Sequence, residues 1–210
     1  MKILNQFDFQ NIRSAQESDA LSLALLHKKT LKSSYLSRLG TDFLETLYLF
    51  LIKNEIIFVY TEEQIIIGFV SFSTNSSQMM KTFLLTSPRC IFILMKLMFK
   101  SPSIAPRLIE TYFAPFKLKS YYLNAIKAVL PNSELLSISV EPEYQAKGIG
   151  NQLLNELEKY LNSNQMFKYK VVAGVDLNGA NKFYLKNGFK LATMINIHGD
   201  NLSNVYTKEL

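Results

Sequence analysis

Apolar positions along this chain recur at two different spacings, and the switches between them mark the elements. Residues 9–14 alternate as a short first strand. Helical spacing takes over at residues 20–28, where Leu21, Leu25 and Leu26 are expected on one face behind Ser18 or Asp19 as N-cap. A second helix is predicted from Thr41, whose Thr-Asp-Phe-Leu-Glu run is close to a capping box. Phe43, Leu44, Leu47, Tyr48 and Leu51 keep its apolar stripe, and Lys53-Asn54 ends it. β-Branched and aromatic runs at 56–60 and 65–73, parted by Thr61-Glu-Glu-Gln64, read as a hairpin.

Residues 74–77 read as a polar loop. Between 77 and 130, apolar helical stretches around 91–100 and 121–130 are punctuated by Pro88, Pro102, Pro106, Pro115 and Pro131. Beyond them the pattern predicts a strand over 134–140, a helix over 150–161, a strand over 170–175 and a helix over 178–187 that Gly188 terminates. A last hairpin, 191–197 with 202–207, turns at 198–201. Hairpin, strand, helix, strand, helix, hairpin predicts a mixed sheet. The fold class is therefore α/β (an α+β mixed sheet) in a single domain, 1–210, with 77–130 a helical insertion between strands 3 and 4.

Composition narrows the possibilities. Apolar residues make up 48% of the 210, with 15 Phe and 11 Tyr, enough to bury a core. One cysteine, Cys90, allows no internal disulfide and reads as structural, and His27 and His198, far apart in sequence, read as surface or loop residues. No metal is expected. The N-terminus lacks a continuous apolar stretch, so the expectation is a cytoplasmic protein. Residues 90–99 are the most apolar run, but Lys96 interrupts it and it is too short to span a bilayer.

Net charge is +6 and unevenly spread. Between Ser77 and Leu130 eight basic residues face a single acid, Glu110, making that segment +7 and the remainder −1. A solvated basic face, an anionic acceptor and a peripheral anionic membrane contact all fit this pattern. Nucleic acid fits least, because no recognition motif accompanies the charge. A homodimer is left open.

Two segments carry chemistry. After the strand ending at Val140 and a turn at Pro142 come Gln145, Ala146, Lys147, Gly148, Ile149 and Gly150, then a helix. A strand that delivers a glycine turn onto a helix N-terminus makes an anion site from backbone N–H groups. The expected donors are the amides of 145–150, with Lys147 adding a mobile positive charge. The Gln-x-x-Gly-x-Gly spacing is neither the dinucleotide fingerprint nor the longer phosphate loop. The second segment is Asn178-Gly-Ala-Asn181-Lys-Phe-Tyr184-Leu-Lys-Asn-Gly188-Phe189, in which Asn178, Asn181 and Tyr184 are spaced to share a helix face.

Together the two segments resemble the GCN5-related N-acetyltransferase (GNAT) superfamily, closely over 134–210 and in element order from residue 9. The resemblance implies a GNAT-like acyl-CoA acyltransferase fold with a splayed central sheet. It implies acetyl-CoA as cosubstrate, its pyrophosphate on the Gly148–Gly150 turn and its pantetheine paired to main chain near Ile138 and Val140. Asn181 would contact the cofactor, Asn178 would help position it, and Tyr184 would donate a proton or hydrogen bond to the departing thiolate. In histone-acetylating members a glutamate at the offset of Glu134 deprotonates the amine, so Glu134 is the candidate base beside its plain reading as a solvated strand-start carboxylate. The implied activity is direct N-acetylation of a primary amine, such as an amino sugar or a nucleotide-linked amino sugar. A peptide or protein amine, and a non-catalytic acyl-CoA-binding module, are the alternatives. The acceptor is expected beside the 32–40 loop and the insertion or, if the insertion is only a solvated face, near Tyr35, Arg38 and the final hairpin.

Overall fold

A computed structural model describes residues 11–32, 34–100, 130–198 and 201–210. Seven strands form one mixed sheet: β1 (Ile12–Ser14), β2 (Ile56–Glu62), β3 (Ile65–Ser73), β4 (Glu134–Val140), β5 (Lys168–Gly174), β6 (Lys190–His198) and β7 (Asn201–Glu209). Their order is β1-β2-β3-β4-β5-β7-β6. Every neighbouring pair is antiparallel except β4 and β5, which are parallel.

Helices cover both faces. On one side lie α1 (Ala20–Thr30), the single turn α2 (Tyr35–Arg38), α3 (Thr41–Asn54), α4 (Ser76–Thr86) and α5 (Pro88–Lys100). They pack Leu23, Leu26, Leu44, Tyr48 and Phe83 against Val59 and Phe69. On the other side α6 (Ile149–Ser163) and α7 (Asn178–Lys186) seal Leu153, Leu157 and Tyr184 against Val70, Leu135 and Tyr169. Strand β3 is buried on both faces, Phe69 toward one core and Val70 and Phe72 toward the other. That is why its sequence reads as a continuous apolar run and not an alternation.

Several local expectations are corrected. Leu26 is buried as expected, but Leu21 and Leu25 are exposed, and α1 buries Leu23, Ala24 and His27 beside Leu26. Asp19 does not cap α1, because its carboxylate takes the Arg13 guanidinium at 2.6 and 3.0 Å and the Gln16 N–H at 2.7 Å. Helix α3 begins at Thr41, but its N-cap is Gly40 at φ +91°, so no capping box forms. Residues 74–77 are not all loop: Asn75 accepts the Gln78 N–H and starts α4, a helix the pattern did not single out. His27 is neither on the surface nor in a loop but 2% exposed, its Nδ1 at 2.8 Å from the Tyr48 hydroxyl.

Other readings hold. Cys90 is buried, and desolvation pushes its thiol up to about 11. Gly188 sits at φ +82° just past α7 and stops it. Of the expected insertion helices, the stretch at 91–100 lies within α5. The stretch at 121–130 lies, apart from Leu130, outside the described residues, as do Pro102, Pro106, Arg107 and Pro115.

Candidate functional site

The parallel pair is where the sheet opens. β4 and β5 are seven residues each, yet they pair only at Glu134↔Lys170 and Leu135↔Val171. Beyond that point β4 stays with β3 as far as Val140↔Gly68, while β5 stays with β7 as far as Gly174↔Ser203. A bulge contributes to the divergence: Ser71 pairs with Ser137 and Phe72 with Leu135, which leaves Leu136 as an extra residue in β4. The main chain of Ile138 and Val140 therefore borders a wedge with no strand to fill it. Polar backbone at such an edge seeks a partner.

The glycine turn stands at the open end of the wedge. A 3-10 turn over Pro142–Tyr144 is followed by extended Gln145, then Ala146 at φ +60° and Gly148 at φ +86°. Gln145 spends its side chain inside the turn, donating to the Val140 carbonyl at 2.9 Å. Lys147 lies over the Tyr144 ring, 4.6 Å from its centroid. Gly148 caps α6 without any side-chain hydrogen bond. The first-turn amides of Ile149, Gly150 and Asn151 thus have no acceptor within the helix and sit at the positive end of its dipole.

The two glycines are required for different reasons. A Cβ on Gly148 would meet nothing within 4 Å, so only its left-handed backbone demands glycine. A Cβ on Gly150 would come within 3.3 Å of the Phe183 ring of α7. Gly150 therefore lets α6 and α7 approach, a reason additional to phosphate access.

Asn181 is the most heavily bonded side chain at the site. Its amide donates to the carbonyls of Gly174 and Leu177, both at 2.9 Å, and lies 3.4 Å from that of Val175. Its oxygen accepts from Asn204 at 3.0 Å and from the Tyr206 hydroxyl at 2.8 Å. Good partners therefore occupy both donors and both acceptor positions. Asn181 staples the β5–α7 connection to β7. Asn204 and Tyr206 complete this staple; no sequence signal marked them, because they belong to another strand. Asn178 is exposed at the start of α7.

Tyr184 is 6% exposed and packed edge-on against Phe183 and Phe189, with Tyr206 tilted beside it. Burial raises its phenol well above the ordinary tyrosine value, so it stays protonated throughout the neutral range.

Glu134 lies at the closed end of the wedge. Its carboxylate accepts the Ser76 hydroxyl at 2.6 Å and pairs with Lys170 at 3.4 Å. Six residues of strand separate it from Val140, on the order of 20 Å. This geometry suits a tie between α4, β4 and β5 better than a base acting within the wedge.

A pocket of about 420 Å³ flanks the turn on the α1 side, beside Ile65–Ile67. Glu62, Glu63, Glu141 and Glu143 line it with Lys29 and Tyr144. Lys29 pairs with Glu141 at 2.6 Å, leaving an excess of carboxylate. That charge disfavours phosphate and disfavours an anionic acceptor there. Among the described residues no cluster of His, Cys, Asp and Glu is arranged to hold a metal.

Comparison with known proteins agrees with this geometry. Residues 121–191 match the family model described as an acetyltransferase (GNAT) domain. No curated protein matches the chain. Among solved structures, a putative acetyltransferase of the GNAT family from Desulfovibrio desulfuricans superposes with a TM-score of 0.60 at 12% identity, over 94% of this chain and 97% of its own. The PaiA N-acetyltransferase from Thermoplasma acidophilum, solved in complex with coenzyme A, gives 0.54 at 16% identity, over 95% and 98%. The ribosomal-protein-S18-alanine N-acetyltransferase from Escherichia coli gives 0.56 at 13%, over 94% and 92%.

Proposed function

We propose that this chain, which carries an acetyltransferase (GNAT) domain, uses acetyl-CoA to acetylate a primary amine directly. The observation that carries the reading is the wedge between β4 and β5, opening toward the glycine turn and the N-terminus of α6. Pyrophosphate would rest on the amides of 145–150. The pantetheine arm would pair with main chain near Ile138 and Val140, on the edge of β4 that no strand covers.

In the reaction the neutral amine attacks the thioester carbonyl. A C–N bond forms, the C–S bond breaks, the amine gives up a proton and the thiolate takes one. Backbone N–H groups on β4 polarise the carbonyl. Tyr184 gives the departing thiolate a proton or a hydrogen bond; burial raises its phenol, so the hydroxyl stays protonated at neutral pH as a donor. Much of the acceleration comes from holding two competent reactants together.

The acceptor we favour is a small amine. The flanking pocket has small-molecule size, and its carboxylates suit a group that arrives as an ammonium ion. An amino sugar meets that description; its nucleotide-linked form carries phosphates and meets it less well. The test is a panel of primary amines with acetyl-CoA, reading free thiol, beside calorimetric titration of coenzyme A. Turnover with a small amine supports the reading. Turnover confined to peptide amines would replace it with a protein acetyltransferase, and binding without turnover with an acyl-CoA-binding module.

A further inference from the structure

Helix α5 is apolar on two faces. Its inward face is accounted for: Cys90 is buried, and Ile93 and Leu94 pack on the core beneath α3. The outward face carries Phe92 at 68% exposed, Met95 at 51% and Ile91 at 39%, and Leu85 at the end of α4 is 65% exposed. Helical spacing puts Phe92 and Met95 side by side, while Arg89 and Lys96 fall together along one edge. From Ser76 to Lys100 the chain has Lys81, Arg89, Lys96 and Lys100 and no acidic residue; Glu45 of α3 pairs with Arg89 at 3.2 Å, which leaves a net basic excess.

We infer that this face docks on an anionic lipid surface, with Phe92 and Met95 entering the headgroup–acyl boundary and the basic edge meeting lipid phosphate. Two arguments choose lipid over a second copy of the chain. The first is area: the four exposed side chains offer on the order of 400 Å², half the roughly 800 Å² per partner of a standard stable interface. The second is charge. A two-fold contact would set this acid-free basic segment against itself, and like charges across an interface oppose association. An anionic membrane complements the net basic excess and needs no matching shape. Among the described residues no helix is long and apolar enough to cross a membrane, so the contact is peripheral. The acetyl-transfer site is separate from it: β4, β5 and the glycine turn contribute none of these residues.

Sedimentation of the whole protein with vesicles tests this. Vesicles of phosphatidylcholine alone are compared with vesicles containing about one-third phosphatidylserine. The protein should pellet with the second and not the first, and about 0.5 M salt should release most of it. The double variant Phe92→Ser/Met95→Ser and the single variant Lys96→Glu should each weaken binding by about tenfold or more. Both should keep the circular dichroism spectrum and the coenzyme A affinity of the parent. Failure to pellet with anionic vesicles overturns the inference, and so does binding that neither variant changes. Analytical ultracentrifugation without vesicles closes the alternative: a dimer that Phe92→Ser/Met95→Ser dissociates would assign the face to a second copy.

Discussion

Asn181→Ala separates a structural staple from a cofactor contact. The substitution removes two donated bonds of 2.9 Å, to the Gly174 and Leu177 carbonyls, and two accepted ones, from Asn204 and Tyr206. Both loop carbonyls keep a backbone donor, Gly174 from the Leu177 N–H at 3.1 Å and Leu177 from the residue 181 N–H at 2.9 Å, so neither is left bare. The Tyr206 hydroxyl still accepts from Asn204 at 3.2 Å, but it loses the acceptor for its own proton in a residue only 3% exposed, where solvent does not readily replace it. At about 1 kcal/mol per replaceable bond, and more for a buried hydroxyl without an acceptor, the loss comes to roughly 2–4 kcal/mol. For a chain of this length that is a fall in Tm of about 5–15 °C. Thermal melts by circular dichroism measure it. Calorimetric titration of coenzyme A, run well below the melt, measures the other half: affinity should drop by less than about tenfold, through loosening of the β5–α7 connection. An unchanged Tm combined with a larger loss of affinity would refute the staple and return Asn181 to direct contact with the cofactor.

The glycines of the turn should respond differently. Gly148→Ala forces an L-residue to φ +86° in open space and should cost about 1–2 kcal/mol of stability, whereas Gly150→Ala should be near neutral, since helix propensity of up to about 1 kcal/mol offsets a small shift of Phe183; denaturant melts check both. Tyr184→Phe should lower kcat by roughly ten- to a thousandfold and leave coenzyme A affinity within about threefold, because the hydroxyl acts only as charge develops on sulfur; an unchanged single-turnover rate would end that role. Glu134→Gln should shift Tm and leave the shape of the pH–rate profile alone; slow turnover that recovers at high pH would make Glu134 the base after all. Burial lowers His27 from 6.5 to about 4, so between those values the unfolded chain binds the extra proton and stability falls as pH falls. From pH 7 to pH 5 the loss should be about 2 kcal/mol, and His27→Gln should flatten that slope in urea melts.

The sequence by itself determined the elements and the chemistry of the turn. Strand and helix periods survive in the order of apolar residues, and Gly148 and Gly188 record backbone conformations that few other residues adopt. The two motifs, Gln145 to Gly150 and Asn178 to Phe189, were legible because each lies on one continuous segment. What tertiary structure decided is everything that needs two segments to meet. Periodicity placed Leu21, Leu25 and Leu26 inward, but orientation follows the larger apolar area, and the core kept Leu26 and took Leu23 and His27 in place of the other two. Gly150 is crowded by Phe183, which stands thirty-three positions away in the chain, and Asn181 is saturated by Asn204 and Tyr206 from another strand. Glu134 looked like a free carboxylate until Ser76 and Lys170 were brought to it from α4 and β5. The wedge itself exists only as two registers, β3 with β4 and β5 with β7, that agree for two residue pairs and then diverge. Hydrogen-bond register and burial are properties of pairs of segments, so a single pass along the chain cannot contain them.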